Sequence, residues 1–496
     1  MSKPIWPKVP SGFVRAVLAG HSALGLAFAA LIYLVCFSGS VAVFANEFHR
    51  WERASAPQMT SVTPQALQNL LVQSLAKVPG AEHVFLYPPQ AEAQNLVAYV
   101  DKDGVSREFM ANAQGDIVAE ADTPWTEFMT RLHINLHLPQ TWGIFIVGLT
   151  GVALLSSLVS GVLAHPRVFK DAFHFRWGGS KRLQEADLHN RIGVWALPFH
   201  IAISLTGALL GLTVIIVGIL ALAVFKGDTE KAYALFLPPH PIDDPRPAPL
   251  PQLPVILAKA QAIAPGMSPT YVGFEHPGEA GAGVIINVAK PGTLSRGDLM
   301  TFDREGKVMS VSKFDESNLG QQIINVLGPI HFGWFGGGLI KIVYAVLGLG
   351  LTTVTSSGVA IWLARRRAKG RPAPRWERVW IATVWSQPFA FSASALVSLF
   401  AAWPPLAVWA AATLLAFGTA ALWMPQAIST RLRLASAALL ALTGAAHMMV
   451  FGSDITDPMA WTVDIALIIV AAGLAATVVR FRKRAPVADA QPMAAE

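Results

Sequence analysis

His189-Asn190-Arg191-Ile192-Gly193 opens the apolar run from Ile192 to Val224, and it repeats the opening of the first apolar run, His21-Ser22-Ala23-Leu24-Gly25. In both runs a Ser/Thr-Gly pair follows, Ser38-Gly39 and Thr206-Gly207, with its first residue seventeen positions after the histidine. On a continuous helix turning about 100° per residue, Gly25 and Gly39 fall within about 40° of His21, and Gly193 and Gly207 do the same relative to His189. A histidine above a groove free of side chains is what a flat macrocycle needs.

The frame around these runs is a membrane protein. Of 496 residues, 53% are hydrophobic and only 14% are charged, whereas soluble domains carry about a quarter charged residues. Runs of about 20 residues or more, long enough to span, lie near 16–45, 141–164, 192–224, 338–363, 380–402, 405–425, 433–451 and 459–479. The first is longer than the roughly 7–15-residue apolar core of a secretory signal and holds His21, so it reads as a retained anchor. About eight transmembrane helices are therefore expected.

Lys and Arg set the orientation. They crowd the N-terminus (Lys3, Lys8, Arg15), the 165–191 loop, the 364–379 loop, Arg431 with Arg433, and the tail beyond Arg480. The turns near Trp403-Pro404-Pro405 and Gly452–Pro458 carry none. Both termini are thus predicted on the cytoplasmic side, with segments 46–140 and 225–337 outside. The net charge of +7 follows from this topology, and the partner implied is the lipid bilayer, with no nucleic acid. The single cysteine, Cys36, lies in the first run. With no Cys-x-x-Cys-His present, any haem must be held non-covalently, as in b-type cytochromes.

Each outer segment reads as a helix followed by hairpins. In the first, Thr63 caps a helix starting at Pro64 and stopping at Pro79-Gly80. Strands follow near 84–87, 96–100 and 106–110, and Asn112–Asp116 turns into Ile117-Val118. The second repeats the order with a helix over 254–263, strands near 270–274, 284–288 and 298–302, and a turn at Asp303–Gly306. Each unit is followed by a histidine entering the next span, His133 and His331, and those spans close with Ser160-Gly161 and Ser357-Gly358. Residues 14–168 and 189–369 are thus two copies of span, outer unit, span, running in the same direction and implying a pseudo-two-fold axis along the membrane normal. Spans over 380–480 and a tail, 481–496, lie beyond the repeats; these last four spans are expected to hold no haem and no charged residues at depth.

The outer units resemble PepSY domains, although Asn112 stands where the closing turn of that pattern has Asp, and neither turn has its Thr. Together with the histidine spacing, the repeats resemble the PepSY-associated transmembrane family, which includes inner-membrane siderophore reductases carrying b haems. That resemblance covers about three quarters of the chain. It implies a bacterial inner-membrane location, two small α+β periplasmic domains, haem b as cofactor and a ferric siderophore or another periplasmic acceptor as electron partner.

Under the pseudo-two-fold, His21 and His189 share one depth near the cytoplasmic face, and His133 and His331 share another near the outer face. Two haems, each between symmetry-related imidazoles, satisfy this. Bis-imidazole ligation leaves no open iron position and suits electron transfer. His200 is the alternative to His189, and His137 the alternative to His133. Arg15 and Arg191, and Arg131 or Lys341, stand where propionates need cations. No flavin or nicotinamide motif is visible, so the donor is a quinol, a redox protein or a diffusible reductant. A haem-free permease or assembly protein with ligand-binding outer units is the competing expectation, and it leaves the histidine symmetry idle.

Overall fold

The computed structural model describes residues 10–90, 93–164, 173, 181–236, 244–290 and 297–483. The chain divides into two compact units, Met1–Ile361 and Trp362–Glu496. In the first, the two histidine-bearing runs are broken helices. α1 (Ser11–Ala27) and α2 (Ala29–Ala42) meet at 66°, where Phe28 leaves the helical region with φ −102° and ψ 2°. The second run starts as α7 (Lys181–Trp195) and bends by 70° into α8 (Leu197–Gly211). Pro198, at the start of α8, has no N–H to continue the α7 ladder. A further break at Leu212 separates α9 (Thr213–Val224). The continuous spans expected over 16–45 and 192–224 are therefore corrected, and so are the helical angles measured across them.

α6 (Gln140–Ala164) and α13 (Gly337–Ala368) close the two repeats. α6 crosses α8 where Gly148 meets Gly211 and Gly151 meets the backbone of Ala208. Small residues allow such close approach in lipid. Ile32 of α2, Leu154 and Leu158 of α6 and Leu351 of α13 form a shared core, with Leu197 and Ile201 of α8 packed against it.

The short α3 (Ala45–Glu52) continues α2 and leads to α4 (Pro64–Lys77), where the Thr63 side chain accepts from the Ala66 N–H at 3.1 Å. Four strands follow: β1 (His83–Tyr87), β2 (Leu96–Lys102), β3 (Val105–Ala111) and β4 (Ile117–Glu120). The second repeat supplies α10 (Thr229–Tyr233), α11 (Leu253–Ile263), β5 (Ser268–Glu275), β6 (Gly283–Ala289), β7 (Asp298–Asp303) and β8 (Val308–Ser312). The two units, expected as separate domains, join into one sheet of order β4-β3-β2-β1-β5-β6-β7-β8. At the antiparallel seam Val84 faces Phe274 and Leu86 faces Val272, on either side of a Phe85–Gly273 pair. That register is what a two-fold axis through the seam requires.

One core serves both halves. Leu67, Leu70 and Leu71 of α4 and Ile256 and Leu257 of α11 cover Val84, Leu86, Val272, Phe274, Ile286 and Phe302. Each such side chain contributes roughly 1.5–3 kcal/mol on burial. Gln68 of α4 also accepts the Leu253 N–H at 2.7 Å, so one helix caps the other. From the sheet the chain returns through α5 (Pro124–Asn135) in the first repeat and α12 (Leu319–Phe332) in the second.

The second unit contains α14 (Pro374–Phe400), α15 (Pro405–Leu422), α16 (Pro425–Phe451) and α17 (Pro458–Lys483). Ala412, Ala416 and Ala420 form a buried small-residue stripe along α15. Charge at depth, not expected here, is present. His447 Nδ1 and Asp464 Oδ2 are 2.9 Å apart and almost wholly buried, and Arg433 lies over the Trp385 ring and donates to Thr477. Among the described residues, five helices are long and apolar enough to cross a membrane, or up to seven if each bent pair is one span. The run at 380–402 lies within α14, whose Ser386, Gln387, Pro388, Ser392 and Ser394 dilute it.

Candidate functional site

α5 and α12 each carry a histidine in their last turn, and the fold brings these two together. The ring centroids of His133 and His331 are 6.2 Å apart, with planes inclined by 22°. α5 stops because Leu136 and His137 adopt left-handed backbone, φ 56° and 54°. α12 starts on a capping box between Asn318 and Gln321 and stops at Gly333, φ 71°. Helices fixed at both ends hold their terminal side chains with little freedom.

Each ring is backed by a small residue and tied through Nδ1. His133 Nδ1 lies 3.0 Å from the Val35 carbonyl and 3.5 Å from Ser38 Oγ; His331 Nδ1 lies 2.9 Å from Thr206 Oγ1. A Cβ on Gly39 would stand 2.5 Å from His133 Cε1, and one on Gly207 would stand 3.0 Å from His331 Cε1. Ser38-Gly39 and Thr206-Gly207 therefore serve His133 and His331, not His21 and His189 as the continuous-helix reading implies. The bends at Phe28 and Ala196 are the cause. A Cβ at Gly25 or Gly193 would meet nothing within 4 Å.

His21 and His189 find the same kind of support in the closing Ser-Gly pair of their own repeat. His21 Nδ1 is 3.0 Å from the Ser157 carbonyl and 3.3 Å from Ser160 Oγ, with Gly161 beside the ring. His189 Nδ1 is 3.1 Å from Ser357 Oγ, with Gly358 beside it. Sequence reading found both Ser-Gly pairs but gave them no role; the repeat of Ser-Gly in each closing span was the signal. An Nδ1 engaged with a carbonyl or hydroxyl orients the imidazole and leaves Nε2 as the metal ligand.

The alternative ligands stand elsewhere. His137 Nε2 lies 2.8 Å from the Phe128 carbonyl, and its ring stacks on Phe128. His200 is on α8, beyond the bend from His189, and is wholly buried beside the Leu347 carbonyl without a hydrogen bond of ordinary geometry. Of the cations, Arg131 is exposed and 3.9 Å from Glu127, and Lys341 is buried against Glu47 at 2.7 Å. Arg15 is exposed, and Arg191 lies over the Trp195 ring at 5.1 Å.

This donor set fits a haem. His133 and His331, with ring centroids 6.2 Å apart, would be the residues that hold its iron. Among the described residues no group of three or more His, Cys, Asp or Glu could hold a bare ion. Paired imidazoles, each tied at Nδ1, are the residues that would hold a haem iron.

Comparison with known proteins gives two findings. A family model described as the PepSY-associated TM region matches residues 18–365. The chain is also 29% identical over 257 residues to the uncharacterized protein PA4219 of Pseudomonas aeruginosa, covering 49% of this chain and 64% of that protein, a little under two thirds of its length.

Proposed function

The chain belongs to the family of the PepSY-associated TM region, and from that premise we propose that this multi-pass membrane protein is a b-type cytochrome carrying two haems across a bacterial inner membrane. The observation that supports it is the facing pair His133 and His331, each braced by a glycine and tied at Nδ1. His21 and His189 are the ligands proposed for the second haem. When bound, a bis-imidazole haem supplies a one-electron iron couple without an open coordination position. The residues of the chain orient the ligands and exclude water. Val35 and Thr206 hold the sheet-side imidazoles, Ser157 and Ser357 the others, and the Ile32–Leu154–Leu158–Leu351 cluster keeps the region between the repeats dry. The acceptor proposed from the family resemblance is a ferric siderophore on the sheet side, and the donor a quinol or a redox protein.

An absorbance spectrum of purified protein from haem-replete cells tests this reading. A Soret band with sharp reduced α bands is expected; a spectrum without them sinks the cytochrome and favours the haem-free ligand-binding alternative.

The glycines give a graded test. Gly39→Ala forces the His133 ring off its Val35 bond and should lose most of the sheet-side haem, whereas Gly207→Ala, with 0.5 Å more room, should lose less. Haem-to-protein ratios measured by pyridine haemochrome check the order, and equal losses at the two positions would contradict it.

A further inference from the structure

Glu52 ends α3, yet its carboxylate serves another helix. The first turn of α5 begins with Pro124, which has no N–H, followed by the N–H groups of Trp125 and Thr126, which stand too early in the helix for an intrahelical acceptor. Thr123, in the N-cap position, makes no side-chain cap bond; its hydroxyl is taken by His49 Nδ1 at 3.0 Å and Arg53 Nη2 at 3.4 Å. Glu52 fills the gap. Its Oε1 accepts from Trp125 N–H at 3.0 Å, and its Oε2 accepts from Thr126 N–H at 2.9 Å and from the Thr126 hydroxyl.

We propose that Glu52 is a positioning residue for His133: it caps α5 from α3 and so sets how the imidazole stands against Val35 and Gly39. The inference rests on the reading of His133 and His331 as a shared iron site. One segment holds both ends of α5. The α2–α3 segment supplies the Val35 carbonyl to the last turn of α5 and the Glu52 carboxylate to the first. A negative charge at a helix N-terminus is favourable there. Phe48 and Trp51 pack edge-on against Trp125 between those ends. α3 is in turn anchored by Glu47 to Lys341 of α13 and through the adjacent Arg53 to Glu108 of β3. The sheet and the ligand helix thus share one clamp.

The second repeat lacks this device. α12, which carries His331, is capped by its own Asn318 and Gln321. Only the first-repeat ligand depends on a charge from another helix, so a change at Glu52 should reach His133 first.

Arg53 is the charge acting on Glu52, and it pairs in turn with Glu108; His49 shares the Thr123 hydroxyl with Arg53, and Glu47 and Lys341 pair at the other end of α3. Burial pushes the Glu52 carboxyl up to about 6, against its bonds from Thr126 and Trp125 and the charge of Arg53. Burial and Arg53 hold His49 down to about 3, so His49 stays neutral where Glu52 titrates. The folded protein takes up the Glu52 proton near pH 6, and the unfolded chain near 4.5. Falling pH through 6 therefore adds stability through this group while it removes the charge from the cap.

The test uses the full-length protein as purified. In wild type the low-spin electron paramagnetic resonance signal of the sheet-side haem should shift with a midpoint near pH 6. Glu52→Gln, which keeps the shape, should abolish that midpoint, and Glu52→Ala should shift the signal at every pH and leave the other haem unaltered. A folded Glu52→Ala protein with an unchanged signal from pH 5 to 8 would make Glu52 a structural cap only and overturn the proposal. If the wild type carries no haem, the reading of the histidines fails, and the cap is judged on the haem-free protein. Faster hydrogen exchange at Trp125 and Thr126 together with a shifted His133 ring resonance in Glu52→Gln then supports it; an unmoved His133 resonance overturns it.

Discussion

His133→Ala and His331→Ala should each remove the same haem, halving the haem-to-protein ratio and leaving two proteins with matching spectra. The expectation follows from the 6.2 Å separation of the rings, which leaves space for one iron and no independent site for either imidazole. A haem held by one of the two imidazoles alone would be weakly retained. Electron delivery to an external acceptor should then fall to background, while the second haem stays reducible. His21→Ala and His189→Ala should match each other in the same way. Two controls sharpen the result. His137→Ala should be silent, because its Nε2 is committed to the Phe128 carbonyl. His200→Ala should keep both low-spin haems; loss of a haem there, with His189→Ala silent, would transfer that ligand to His200. Unequal haem losses in His133→Ala and His331→Ala would rule out a shared iron.

The approach of His133 to His331, ring to ring at 6.2 Å, follows from repeats that run in one direction and put equivalent residues at equivalent depths. What failed was the assumption of straight helices. Angular position was carried from His21 to Gly39 and from His189 to Gly207 through Phe28 and Ala196, where the axes turn by 66° and 70°. Pro198 announced the second break; Phe28 carried no comparable signal. The helix and strand order of the outer units was readable from alternation and turn residues. Their fusion was not, because the edge-to-edge pairing of β1 with β5 sets His83 opposite Glu275 and Leu86 opposite Val272, partners with no spacing in the sequence to announce them. The role of Glu52 was invisible for the same reason, since a cap supplied by another helix has no sequence spacing. The His447–Asp464 pair was missed because each residue stands alone in an apolar run, seventeen positions apart, and only the antiparallel packing of α16 on α17 makes them neighbours.

That pair should give the largest stability effect in the second unit. His447 and Asp464 are 2.9 Å apart, with 2% and 0% of their surfaces exposed. The contact lies where α16 and α17 approach closely: a Cβ on Gly444 would stand 2.8 Å from the Asp464 carbonyl oxygen. Removing one member of a buried pair takes this bond from the other inside an apolar surrounding, at a cost of about 3–5 kcal/mol. Asp464→Ala should therefore lower the unfolding free energy by that order, read as a fall in thermal midpoint in detergent, and Asp464→Asn, which keeps a hydrogen-bonding group, should cost less. Replacing both residues with apolar side chains removes the desolvation cost together with the bond and is often neutral or stabilising. The double variant His447→Leu, Asp464→Leu should thus be more stable than Asp464→Ala alone. A double variant as unstable as the sum of its single changes would show that the two residues act independently and that the pair is not what joins α16 to α17. A double variant that is stable, retains haem and yet no longer accepts electrons would give the pair a part in function, in line with the rarity of ionisable groups kept at membrane depth.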